Sequence, residues 1–301
     1  MRRYGLGICV ALCVASISAA QKPRLKDPST AWVAKVSADL VYDTNIERDD
    51  TSQHSIGRIL AVGLRYRKER KHDALFGAYD AALHEYSNSD TYDRTSHQIA
   101  LGYSRELNKK WDFEIEGEVS FKGSNDDREL FDQRSIKASL KYSLTKQMDL
   151  IFEQGYRDRS YTDAGEDANN IYSELTWRKD LDKDRRLEFS ARTESNIAFD
   201  RKYDFRRLTY GADYRQQISR ADQIEIEARY RFRNYAFREG DGSALRSDKN
   251  FIFGVTYDRA LTDNWILSLG YRYEKRHSND SDKLFDESRF IIGLTHRWGL
   301  E

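Results

Sequence analysis

Glu225, Glu227, Arg229, Arg231 and Arg233 stand at every second position, and Ile224, Ile226, Ala228, Tyr230 and Phe232 alternate with them. A strand sends successive side chains to opposite faces, so one face here is apolar and the other is a row of ionised groups. The stretch "KWDFEIEGEVSFKG" at 110–123 repeats the pattern. Trp111, Phe113, Ile115, Gly117, Val119 and Phe121 share one parity, and Asp112, Glu114, Glu116 and Glu118 share the other. Lys137 and Lys141 alternate with Ile136, Ala138, Leu140 and Tyr142, and Arg207, Asp213 and Arg215 alternate with Leu208, Ala212 and Tyr214. The chemistry open to such rows is electrostatic: arginine forks match carboxylates bidentately, and charges on a low-dielectric wall focus a field. Opposite charges on neighbouring strands also pair and brace a sheet. Both readings of the rows stand, and the two are compatible.

Other chemistries are thinly supplied. Of the six histidines, His54, His72, His84, His97, His277 and His296, none is spaced as a metal pair. The acidic stretches at 47–50, 124–129 and 163–170 do not match a calcium-loop ligand pattern and read as solvated loops. No metal and no cofactor is expected. Fifty basic residues against fifty acidic ones give no reason to expect a nucleic-acid partner.

The elements that carry the charged rows are strands. Fourteen segments of period two run from 30–43 to 287–299, most of them ten residues or longer. Strands of soluble domains are nearer five or six residues, whereas a bilayer-crossing strand needs about nine to eleven. Both prolines, Pro23 and Pro28, precede the first segment, as suits a chain that is nearly all paired strand. Charged residues make up 33% of the chain and mean hydropathy is −0.82, but the 13% aromatic content and the regular patterning argue against disorder.

Connections alternate in length. Those at 108–110, 145–147, 219–222 and 262–264 are tight, with 67–72 and 180–184 slightly longer. Between them lie polar connections at 44–54, 87–94, 123–133, 160–169, 238–248 and 277–287, with 199–203 as a short exception. Trp32, Trp111, Trp177, Trp265 and Trp298 all fall at the tight-turn ends on the apolar parity, as a membrane-interface girdle would place them. Tyr42, Phe121, Phe232, Phe251, Tyr273 and Phe290 fall at the opposite rim.

Residues 1–20 read as a cleavable secretory signal: Arg2 and Arg3, an apolar run from Leu6 to Ile17, and small residues before a cut at Ala20. Both cysteines, Cys9 and Cys13, lie within it. The reading is therefore all-β: a transmembrane antiparallel up-and-down barrel of about fourteen strands, with both termini periplasmic. Residues 21–29 form a periplasmic segment and 30–301 the barrel. The charged parity then lines the lumen. Asp112, Glu114, Glu116, Glu153, Glu225 and Glu227 occupy its lower half, and Arg157, Arg159, Arg207, Arg229, Arg231, Arg233 and Arg276 its upper half. Glu118, Lys137, Lys141, Asp213, Arg215 and Arg272 complete the candidate lining.

The chain resembles small bacterial outer-membrane β-barrel proteins. "YDTNI" at 42–46 resembles a motif near the first strand of the β-barrel porin 2 family, and the barrel of surface lipoprotein assembly modifiers starts similarly. "GLTHRW" at 293–298 resembles an outer-membrane assembly signal, with His296 where an apolar residue is usual. "HSND" at 277–280 resembles the His-Ser-Asn set of the outer-membrane phospholipase, although His277 and Ser278, being adjacent, oppose each other on a strand. These resemblances imply an outer-membrane location among lipid and lipopolysaccharide, passage through the barrel-assembly machinery, and a monomeric, non-enzymatic, porin-like channel for small polar or anionic solutes, acidic saccharides among them. The alternative is a component of exopolysaccharide or lipoprotein export, with a hydrolase third.

Overall fold

The computed structural model describes residues 30–48, 52–88, 93–122, 131–161, 164–236 and 245–300. The expected signal at 1–20, the segment at 21–29, the acidic loop at 124–129 and parts of those at 47–50 and 163–170 lie outside the described residues.

Fourteen strands follow one another: β1 (Thr30–Asp43), β2 (Ser55–Glu69), β3 (Asp73–Tyr86), β4 (Arg94–Asn108), β5 (Trp111–Lys122), β6 (Phe131–Thr145), β7 (Met148–Tyr161), β8 (Ala168–Asp180), β9 (Arg185–Ala198), β10 (Phe205–Gln217), β11 (Asp222–Tyr235), β12 (Ser247–Ala260), β13 (Trp265–Ser278) and β14 (Phe285–Leu300). Each pairs antiparallel with its neighbours in sequence, and β1 pairs with β14, so the sheet is a closed barrel. The short connection at 199–203 holds one 3-10 turn, Arg201–Tyr203, capped by Asp200 accepting from the Lys202 amide.

Five of the six tight turns share one device. In each of the five, a short polar side chain accepts a backbone N–H two or three residues on: Asn108 from Lys110, Thr145 from Gln147, Asp182 from Asp184, Ser219 from Asp222, and Thr262 from Trp265. Such local bonds stabilise a reversal without a partner strand. Asp182 also accepts from Arg185, and that hydrogen bond holds its carboxyl below the usual range.

The apolar parity faces out. Leu40, Leu60, Val62, Leu101, Ile136, Phe152, Leu175 and Ile292 are exposed, and buried polar side chains outnumber buried apolar ones among the described residues. This inverts a soluble protein, as hydrocarbon outside and polar groups inside require. At the tight-turn rim the tryptophans pair with other rings: Trp32 with Tyr66 at 4.6 Å, Trp111 with Tyr142 at 4.5 Å and Trp177 with Phe189 at 5.8 Å. His296 sits between Trp265 and Trp298, at 4.5 and 4.2 Å. The residue that departs from the assembly-signal pattern thus fills an aromatic position in the same rim.

Closure is reinforced at the seam by the "YDTNI" residues. Asp43 accepts from the Asn45 amide at 2.9 Å and from Arg289 Nε on β14 at 2.7 Å. The Thr44 amide donates to the Ser288 carbonyl, and Thr44 Oγ1 accepts from the Ser288 amide. Asn45 donates to the Asp286 carbonyl and Ile46 is buried. The chain then turns at Arg48, whose φ of 54° is left-handed, and Arg48 reaches Glu287 at 2.8 Å and Glu274 at 3.5 Å. Arg48 stays ionised: burial opposes its charge, but Glu287 and Glu274 hold its pKa above the ordinary value. Asp43 is fully buried, so Asp43→Ala removes one of the two carboxylates that Arg289 holds and is expected to lower stability by about 1–3 kcal/mol. The check is the urea midpoint of the folded barrel in micelles; an unchanged midpoint would show that the seam does not depend on this pair.

Candidate functional site

The charged parity meets inside the barrel, and the ladder register decides who meets whom. Low in the barrel, Lys141 pairs with Asp112 at 2.5 Å and Lys137 with Glu116 at 3.0 Å. Glu114 and Glu118 face Ser139 and Ser135 instead of the lysines. Arg215 pairs with Glu225 at 3.0 Å, and Arg229 with Asp213 at 3.2 Å and Glu227 at 3.3 Å. Arg272 lies 3.4 Å from Glu227 and 3.5 Å from Glu274. Glu153 accepts from Tyr172 and lies 3.8 Å from Arg192. A cavity of about 550 Å³ opens at the tight-turn end, with Arg67, Asp112, Glu114, Lys141, Glu153 and Arg178 in its wall.

The upper interior is packed. Glu194 on β9 is almost fully buried and takes Arg207 at 2.5 Å and Arg157 at 3.7 Å. Asp248 takes Arg246 in a two-point fork, and Glu274, Glu287 and Arg289 belong to the seam network. Guanidinium planes rest on inward rings: Arg159 on Phe131 at 4.9 Å, Arg233 on Phe205 at 4.5 Å and Arg276 on Phe285 at 4.7 Å. Arg157 and Arg192 stack against Tyr172 at 4.3 and 4.4 Å. Stacking fixes the plane of the fork while leaving its N–H edges free.

The sequence reading placed acid below and base above. The arrangement is more mixed. Asp43, Glu194, Asp248, Glu274 and Glu287 stand in the upper interior, and Arg67 and Arg178 in the lower. All obey the same parity rule, so extending the rule to β1, β2, β8, β9, β12, β13 and β14 finds them; Arg48, on a loop, obeys no strand period. A bias nevertheless remains above. Arg159, Arg231, Arg233 and Arg276 have no carboxylate within ion-pair distance among the described residues. His277 and Ser278 end β13 on opposite faces, with Ser278 bonded to Asp248 at 2.7 Å, so the two do not share a proton. The described residues contain no cluster of three metal-ligating side chains.

No protein-family profile matches the sequence, so the resemblance to β-barrel porin 2 rests on its short motif alone. No curated protein matches it either. Solved structures match the fold. An anion-selective porin from Comamonas acidovorans aligns over 89% of this chain and 99% of its own, at TM-score 0.56 and 8% identity. The fold is that of bacterial outer-membrane barrels. OmpT of Vibrio cholerae aligns over 91% and 99%, at TM-score 0.54 and 11% identity. A bacterial polysaccharide outer-membrane secretin aligns over 88% and 98%, at TM-score 0.53 and 12% identity.

Gly155 on β7 is the close approach that sets the Tyr172 sandwich. Any Cβ there would fall inside the Tyr172 ring, whereas one at outward Gly117 would meet only the Ser135 carbonyl, at 3.9 Å. Gly155→Val is therefore expected to displace the ring and its two arginines and to lower stability by about 1–3 kcal/mol. Gly117→Val is the control and should leave the unfolding midpoint nearly unchanged. Equal effects of the two would remove the special role of Gly155.

Proposed function

We propose that this protein is an outer-membrane channel for small polar solutes, with a preference for anions that extends to acidic saccharides. The observation that carries the reading is the closed barrel with an apolar exterior and a charged interior, in which Arg159, Arg231, Arg233 and Arg276 of the upper half have no carboxylate within ion-pair distance among the described residues. Such a bias attracts anions and repels cations at a low-dielectric constriction. The reading includes export by the signal at 1–20, a periplasmic segment at 21–29, insertion by the barrel-assembly machinery, and a monomer held in lipid and lipopolysaccharide. A second reading, export of a polysaccharide, is favoured by the likeness to the polysaccharide secretin.

Planar-bilayer recording under a salt gradient separates the two. A channel is expected to open stably in simple salt, with a reversal potential on the anion side; a silent barrel would overturn the proposal. The ion pairs refine which residues set selectivity. Arg229 is already neutralised by Asp213 and Glu227, whereas Arg231 has no ion pair among the described residues. Arg231→Glu should therefore move the reversal potential toward zero by clearly more than Arg229→Glu. Equal shifts would mean that total charge, not local pairing, sets the preference.

A further inference from the structure

Four arginines crowd one part of the upper interior. Arg207 on β10 stands directly opposite Arg233 on β11, Arg231 follows two residues below on the same face, and Arg276 lies across β12 on β13. Arg233 is the common neighbour, its charge acting on the other three. Like charges placed directly opposite on a sheet are destabilising unless something stands between them. Among the described residues only Arg207 of the four has a carboxylate in contact, and it shares Glu194 with Arg157.

The donors are also unfilled. Arg276 is 3% exposed, and its Nε and Nη2 are buried without a hydrogen-bond partner among the described residues. Arg207 Nε is in the same condition. The Nε and Nη2 atoms form one edge of the guanidinium, the edge that grips an oxyanion with two parallel bonds. The guanidinium carbon of Arg276 lies 4.7 Å from the Phe285 ring and that of Arg233 4.5 Å from the Phe205 ring. Buried charged donors are seldom left orphaned, because desolvation opposes folding unless a counter-charge offsets it.

We propose that Arg207, Arg231, Arg233 and Arg276 form a binding site for a single oxyanion, the carboxylate or phosphate group of a small solute. The site rests on the channel reading only for the route by which the solute arrives. It differs from a general anion preference in being saturable, of one-to-one stoichiometry, and indifferent to neutral sugars.

Titration calorimetry on the full-length barrel in micelles, in a constant chloride background, tests this. The probes are glucuronate, inorganic phosphate and glucose. Saturable one-site binding of glucuronate, phosphate or both is expected, with none for glucose; which probe binds assigns the site to carboxylates, to phosphates or to oxyanions in general. Arg276→Gln, which removes the free edge, should weaken binding about tenfold or more. Arg231→Gln provides a second variant should the first fail to fold, since Arg231 makes no ion pair or ring contact among the described residues. Absence of saturable binding, equal binding of glucose, or affinity unchanged in the folded variants would overturn the site. A barrel that binds without conducting retains the site and loses the channel reading, and one that conducts without binding does the reverse.

Discussion

Every backbone N–H and C=O in a bilayer must find its partner within the protein, because hydrocarbon offers none. For a sheet, that requirement has one solution, which is to close. Thirteen of the ladders in this barrel join strands that are neighbours in sequence, and five of them are closed by tight turns built on Asn108, Thr145, Asp182, Ser219 and Thr262. The fourteenth, between β1 and β14, joins the ends of the chain and has no turn to set it. There the protein concentrates its strongest side-chain interactions. Asp43, Asn45 and Arg48 on one side meet Asp286, Glu287 and Arg289 on the other, largely out of water. Side-chain pairing at this seam does what a turn does elsewhere.

Closure then dictates the chemistry of both surfaces. With lipid outside, the apolar residues are spent on the exterior, and the interior is left to hydrogen bonds and ion pairs. A polar interior is stable only when its groups satisfy one another. Most do, through pairs such as Lys137 with Glu116 and Arg192 with Glu174. Among the described residues, Arg159, Arg231, Arg233 and Arg276 of the upper interior have no carboxylate within ion-pair distance. A wall that needed only bracing would have distributed carboxylates to them. The incomplete pairing, more than the number of charges, is what gives the interior a sign.

Bracing, one of the two compatible readings of the charged rows, differs from residue to residue. Glu116 and Asp112 are taken up in ion pairs and stiffen the wall. Arg229 is neutralised twice over, while Arg231 has no ion pair among the described residues. Arg229 has Glu227 two residues before it on its own strand and Asp213 on β10, whereas Arg231 is preceded at that spacing by Arg229 and lies between Thr209 and Asn250.

What the sequence determined by itself was everything carried by local periodicity. Alternation of period two specified the strands, the parity of the tryptophans specified the rims, and turn chemistry specified the short connections. The lining residues from Asp112 to Arg276 were legible because a strand has only two faces, and hydrophobicity identifies the outer one. What only the tertiary structure decided was pairing. Whether Glu114 or Glu116 meets Lys137 depends on a register that no single strand contains. That Glu194 draws Arg157 and Arg207 together depends on β7 lying one strand beyond β9, across β8, and on β10 lying beside β9. Arg48 escaped the sequence reading for a related reason: its place in the wall is set by a left-handed turn and by carboxylates more than two hundred residues away. Periodicity is a property of neighbours along the chain, whereas charge neutralisation is a property of neighbours in space, and in a closed barrel the two coincide everywhere except across the ladders.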